Sequence, residues 1–124
     1  MKTVLYADDD LEIVELVKAL VERAGYQLLT ARDGREAIEI ARDENPDLIL
    51  MDIDMPAMNA LTAVKELRDD GFNNPIIMLA SSESEMDRNC SIEAGSDEYI
   101  LKTIDMGEVE TVLSRHLSDI GDFL

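Results

Sequence analysis

The sequence predicts a doubly wound α/β domain, a parallel five-stranded sheet with five helices. Three observations carry this. Five short apolar runs alternate strictly with five amphipathic stretches. The runs are apolar at successive positions, as strands buried on both faces require. Aspartates and glycines punctuate the pattern where helices begin and end.

The first strand is predicted at Thr3–Ala7, and Asp10 then caps a helix whose stripe is Ile13, Val14, Val17, Leu20, Val21 and Ala24. Gly25 falls just past it, where a left-handed C-terminal cap favours glycine. Leu28–Ala31 is the second strand, followed by a helix marked by Ala37, Ile38 and Ala41. Leu48–Met51 is the third, followed by Leu61, Val64 and Leu67 at helical spacing and Gly71. Ile76–Ala80 is the fourth, followed by Met86, Cys90 and Ala94 and then Gly95, with Ser82 and Glu85 spaced as a capping box. Tyr99–Leu101 is the fifth, and Val109, Val112, Leu113 and Leu117 complete the last helix. Ser118–Leu124 lies outside the pattern as a short tail, so one domain over 1–124 has its core at about 3–118.

Composition bounds the function. At 13.8 kDa the chain fits one domain and excludes a two-domain enzyme. Twenty-eight acidic residues against eleven basic ones give a net charge of −17, which repels phosphate backbones and anionic membranes, so neither nucleic acid nor membrane is expected as a direct partner. Cys90 is a single cysteine, which fits a reducing compartment and a cytoplasmic location, and it reads as a small core residue. The opening apolar run of five residues is too short for a signal peptide or a membrane span.

Chemistry gathers at the strand ends, where ligands of such sheets bind. Asp8, Asp9 and Asp10 end the first strand; Asp52 and Asp54 end the third; Lys102 ends the fifth. Two carboxylates about 4 Å apart repel by roughly 4 kcal/mol at an effective dielectric of 20, so clustered acids call for a cation. Oxygen-only ligands suit Mg²⁺, and Lys102 adds a positive charge at the same rim. Together they form a trap for an anionic phosphate. Asp10 reads as a helix cap, and His116, at the end of the last helix, as favourable to the helix dipole.

In order and spacing, Asp8–Asp9, DLILMDIDMPAMN at Asp47–Asn59, PIIML at Pro75–Leu79 and AGSDEYILK at Ala94–Lys102 make the chain resemble the receiver domains of two-component response regulators, including the single-domain chemotaxis type. The resemblance spans almost the whole chain and implies a flavodoxin-like fold with strand order 2-1-3-4-5. It also implies that Asp52 accepts a phosphoryl group from a sensor histidine kinase, a phosphotransfer protein or a small acyl phosphate. Asp8, Asp9, Asp52 and the main-chain carbonyl of Asp54 would hold Mg²⁺ or Mn²⁺, and Lys102 would contact the phosphoryl group. Output would run through an unidentified protein partner, and catalysis would extend at most to the chain's own phosphorylation and dephosphorylation.

Departures from the family pattern accompany the match. The switch hydroxyl of the family falls on Ala80, with Ser81 and Ser82 following; the aromatic partner, Tyr99, is present; Ala60 stands where glycine is usual. Thr103 replaces the proline after the lysine, so the Lys102–Thr103 bond is expected to be trans. The Asp54 carboxylate could orient water, slow phosphate entry or bind metal. Ala80 and Thr103 support an alternative, an atypical receiver acting as a phosphorylation-independent binding module. A phosphohydrolase of the haloacid-dehalogenase type is a weaker match, since its Asp-x-Asp belongs on a first strand, and a flavodoxin-like cofactor carrier fails on the charge of Asp8–Asp10.

Overall fold

A computed structural model describes residues 1–55, 59–103 and 106–117. The strands are β1 (Thr3–Ala7), β2 (Gln27–Ala31), β3 (Leu48–Asp52), β4 (Ile76–Ala80) and β5 (Glu98–Leu101), and the helices are α1 (Leu11–Arg23), α2 (Gly34–Glu44), α3 (Ala60–Asp69), α4 (Glu85–Ala94) and α5 (Gly107–Leu117). The sheet is parallel in the order β2-β1-β3-β4-β5, as expected. Three strands differ from their sequence-based bounds by one residue, each gaining a polar residue at an end: Gln27, Asp52 and Glu98. Hydropathy alone could not include them.

Alternation of side chains along each strand sorts the core into two layers. Val4, Tyr6, Leu48, Leu50, Ile77, Leu79 and Ile100 face α1 and α5, meeting Val17, Val21, Val109 and Leu113. Leu5, Ala7, Ile49, Met51, Met78 and Tyr99 face the other way, against Ile38 of α2 and Val64 and Leu67 of α3. The central strands β3 and β4 are buried throughout. β2 is an edge and leaves Gln27 and Thr30 exposed.

Caps follow the expected chemistry in α1, where Asp10 accepts from the amides of Glu12 and Ile13 and Gly25 takes φ 93°. Ala24, assigned to the stripe of α1, is its exposed C-cap. Gly95 ends α4 at φ 121°, and a Cβ there would stand 2.7 Å from Arg68 Cγ. Arg68 is pinned there: its guanidinium donates to the carbonyls of Gly95, Phe72 and Asn74 and to the Asp97 carboxylate, tying α3 to the flanks of β4 and β5.

α4 departs from the sequence reading. Met86, placed in its apolar stripe, is 74% exposed, while Cys90 and Ala94 are only half-buried. Cys90 and Ala94, the latter packed against the core, share the inward face with Asp87, Arg88 and buried Ser91, polar side chains that hydrophobic periodicity cannot register. Its N-cap is Ser84, which accepts from the Asp87 amide, and not Ser82 with Glu85. His116 pairs with Glu98 across α5 and β5, beyond its place near the helix end. The tail 118–124 lies outside the described residues.

Candidate functional site

Strand parity brings the acidic residues together. Asp8 lies two residues beyond Tyr6, Asp52 two beyond Leu50, and Lys102 two beyond Ile100, so all three continue the α1/α5 side of the sheet. The backbone continues the register past the strand ends: the Asp8 amide donates to the Ala31 carbonyl and the Lys102 amide to the Ala80 carbonyl. Asp8 is 1% exposed and Asp52 3% exposed, both unusual for aspartate, while Asp9 is open to solvent.

Lys102 Nζ lies 3.0 Å from Asp8 Oδ2 and 3.1 Å from Asp52 Oδ1. Carboxylate oxygens of Asp8, Asp9 and Asp52 lie within 4.8 Å of one another. One ammonium among three carboxylates leaves an excess of negative charge. A hard divalent cation such as Mg²⁺ matches that donor set, which offers oxygens alone, two of its carboxylates buried and one at the open side.

The two buried aspartates differ. Asp8 Oδ2 accepts from the Tyr6 hydroxyl and from Lys102, and Oδ1 accepts from the Asp10 amide at 2.9 Å. Burial alone would raise its carboxyl, but these donors hold it below the ordinary value. Asp52 is pushed upward, by burial first and by the charge of Asp8, although the Asp54 amide donates to its Oδ1 at 3.1 Å and Lys102 opposes the rise. Among the described residues, Asp52 Oδ2 accepts no hydrogen bond. For Lys102, burial is outweighed by Asp8 and Asp52, and its ammonium is held charged above the ordinary range.

Asp54 is exposed, and Ser81 Oγ stands 3.4 Å from its Oδ2, so the serine after Ala80 faces the mouth of the acidic site. Ala80 itself is buried and packs in the same cluster as Tyr99 on the opposite side of the sheet. Tyr99 is 5% exposed; its hydroxyl donates to the Ser82 carbonyl at 3.1 Å, and the Arg88 guanidinium lies 4.8 Å from its ring centroid. Its phenol is raised above the ordinary value by burial and by Asp87. No cis peptide bond occurs among the described residues, so Lys102–Thr103 is trans as expected. Residues 56–58, inside the DMPAMN motif, lie outside the described residues.

Two contributors escape sequence reasoning. Tyr6 looks like strand hydrophobe, yet its hydroxyl ends on Asp8; the signal was its place two residues before an aspartate, on the same strand face. Arg88 looks like a helix-surface charge, yet it covers Tyr99, which only the orientation of α4 reveals.

Comparison with known proteins then gives a consistent family. The response regulator receiver domain family matches residues 4–114. The alkaline phosphatase synthesis transcriptional regulatory protein PhoP of Bacillus subtilis (strain 168) is 38% identical over 108 residues, 87% of this chain and 45% of that protein. The transcriptional regulatory protein CpxR of Klebsiella pneumoniae is 39% identical over 102 residues, 82% of this chain and 43% of that protein. This chain therefore spans under half the length of these curated relatives. Among solved structures, the BeF3-activated N-terminal receiver domain of Klebsiella pneumoniae RstA superposes with a TM-score of 0.86 at 31% identity, covering 94% of this chain and 98% of that one. The Vibrio cholerae chemotaxis protein CheY4 gives 0.88 at 31% identity, covering 94% and 99%.

Proposed function

This chain belongs to the response regulator receiver domain family of two-component systems, and from that premise we propose that it accepts a phosphoryl group on Asp52. Receiver domains interact with histidine kinases or phosphotransfer proteins and bind Mg²⁺ at an acidic pocket. The observation that supports the reading is the shared contact of Lys102 with Asp8 and Asp52 beside the exposed Asp9.

Asp52 Oδ2, the oxygen without a hydrogen bond among the described residues, is the nucleophile. It attacks phosphorus in line while the phosphorus–nitrogen bond of a phosphohistidine, or the phosphorus–oxygen bond of a small acyl phosphate, breaks and its electron pair leaves with the donor. Lys102 turns from the two carboxylates to a phosphoryl oxygen, exchanging one anionic partner for another. Asp8 keeps its donors from Tyr6 and the Asp10 amide, and the Asp54 amide holds Asp52 Oδ1 in place. Asp8, Asp9, Asp52 and the Asp54 carbonyl would hold Mg²⁺, which would supply positive charge for the transferring group. Water then attacks phosphorus, the bond to Asp52 Oδ2 breaks, and inorganic phosphate leaves with the carboxylate restored, so catalysis is confined to the chain's own phosphorylation state. The domain acts in the cytoplasm, receives its phosphoryl group from a kinase or phosphotransfer protein, and signals to an output protein.

Incubation with a small acyl phosphate, with and without Mg²⁺, followed by intact mass, tests this. One added phosphoryl group that depends on Mg²⁺ and is absent in Asp52→Asn is the expected result. No adduct on the wild-type chain overturns the proposal.

A second reading is favoured by Tyr99. Its ring is already buried, tied to the Ser82 carbonyl and covered by Arg88, and buried Ala80 offers no hydroxyl for a phosphoryl group to draw in. On this reading α4 and β5 present one partner-binding face in both states, and docking is independent of phosphorylation. Amide spectra recorded before and after phosphorylation separate the two: shifts confined to the acidic site favour the constant face, and shifts reaching α4 and Tyr99 favour the switch.

A further inference from the structure

Tyr6 is wholly buried on β1, paired with Leu50 of β3 in the core layer that faces α1 and α5, and its hydroxyl reaches the floor of the acidic site. A phenylalanine would fill the same apolar slot without a polar atom to satisfy. A phenol keeps its proton at neutral pH, so the hydroxyl donates to the Asp8 carboxylate. Each carboxylate oxygen has two lone-pair sites in its plane. On Asp8, Oδ2 has both filled, by Tyr6 and by Lys102, and Oδ1 has one filled by the Asp10 amide. Among the described residues, one position on Asp8 stays open, on Oδ1.

We propose that Tyr6 is a positioning residue for the cation site: its hydroxyl locks the Asp8 carboxylate so that Oδ1 is presented to a divalent cation shared with Asp9 and Asp52. This rests on the reading of the acidic cluster as a cation and phosphoryl site. The lock matters most when Lys102 leaves Asp8 for a phosphoryl oxygen. At that point Tyr6 is the side-chain donor left on Oδ2 among the described residues, and without it the carboxylate turns about its Cβ–Cγ bond. Mg²⁺ demands near-octahedral ligand geometry, so a ligand free to rotate binds it less tightly. Hydrogen-bond partners of metal ligands commonly contribute 10–100-fold in affinity.

Calorimetric titration with Mg²⁺ alone, on the wild type and Tyr6→Phe, tests this. We expect about 10-fold weaker binding in the variant. The chain has three tyrosines and no tryptophan, so the wild type should also give a Mg²⁺-dependent near-ultraviolet tyrosine difference spectrum. That signal should vanish in Tyr6→Phe, in which Tyr26 and Tyr99 remain. A merely structural tyrosine would change the melting temperature in chelator and leave both Mg²⁺ readouts untouched. Binding within twofold of the wild type overturns the proposal. Should the variant fail to fold, a wild-type tyrosine spectrum indifferent to Mg²⁺ overturns it equally. A wild type that binds no Mg²⁺ fails at the first titration, and then the phosphoacceptor reading falls with it.

Discussion

Replacing Lys102 by methionine, of similar length and without charge, removes the ammonium shared by two buried carboxylates. Each contact, at 3.0 and 3.1 Å, represents about 5 kcal/mol of attraction at an effective dielectric of 20. Asp8 and Asp52, with oxygens within 4.8 Å, then repel by at least about 3.5 kcal/mol on the same scale. Partial compensation comes from no longer desolvating the lysine, whose side chain is 17% exposed. Removing one partner of such a pair costs about 3–5 kcal/mol. At the lower value, the unfolding entropy of a 124-residue chain converts the loss to a fall in Tm of about 12 °C. Thermal and urea unfolding in chelator at pH 7 reads this directly. Two companion results follow from the same electrostatics. The deficit narrows toward pH 4, because Asp52, whose carboxyl is raised above 3.8, protonates first and relieves the repulsion. Mg²⁺ at 100 times its Kd restores about 2.7 kcal/mol. A Lys102→Met chain within about 1 kcal/mol of the wild type at pH 7, or a deficit unchanged at pH 4, refutes the shared-cation account.

Other expectations concern the frame around the site. Arg68→Met leaves the carbonyls of Gly95, Phe72 and Asn74 without their donor, and urea unfolding should report a loss of about 3 kcal/mol. Ser84→Ala should cost about 1 kcal/mol while Ser82→Ala changes stability by only a few tenths, since Ser84 caps α4. Glu98 is held below its ordinary 4.5 because hydrogen bonds from His116 and Arg115 outweigh its burial. A depressed carboxyl stabilises fully above about 4.5 and loses that contribution as pH falls through the lowered value. Glu98→Gln should therefore flatten the acid side of the stability profile below 4.5, by under about 1 kcal/mol given solvent screening.

The fold was legible because hydrophobic periodicity and its punctuation agree at nearly every element. Val14, Val17, Leu20 and Val21 of α1 and Val109, Val112 and Leu113 of α5 were readable as inward stripes for this reason. α4 was read only in part: Ala94 packs on the core as expected, but Met86 is exposed, and Arg88 stacked on Tyr99 and buried Ser91 make contacts that carry no hydropathy signal. At the strand ends, acids at Asp8 and Asp52 with Lys102 could be grouped from sequence, since parallel strands finish on one edge. Which oxygen each donor occupies could not, because that depends on strand register and rotamer.

The division of labour between Asp8 and Asp52 follows from those oxygens. Both are buried and both touch Lys102, so charge and burial alone would treat them alike. Donor count separates them: Asp8 has both oxygens engaged, whereas among the described residues the bonds of Asp52 fall on Oδ1 alone. The Asp8 carboxyl is held low and the Asp52 carboxyl is raised, which suits the proposed roles of a fixed ligand and of a basic oxygen attacking phosphorus. A phosphoryl group arriving at Asp52 Oδ2 would displace no hydrogen bond from the described residues, while at Asp8 Oδ2 it would have to evict both Tyr6 and Lys102. The same arithmetic makes Asp8→Asn the more disruptive of the two asparagine substitutions in chelator. An amide NH₂ at the Oδ2 position clashes with the Tyr6 and Lys102 donors, and turned the other way it meets the Asp10 amide. Asp52→Asn can point its NH₂ into the open Oδ2 position and keep its oxygen on the Asp54 amide. Urea unfolding in chelator at pH 7 should rank Asp8→Asn below Asp52→Asn by about 1–3 kcal/mol, the cost of unmatched buried donors. The reverse order would mean that Asp52, and not Asp8, is the carboxylate whose hydrogen bonds hold the site together.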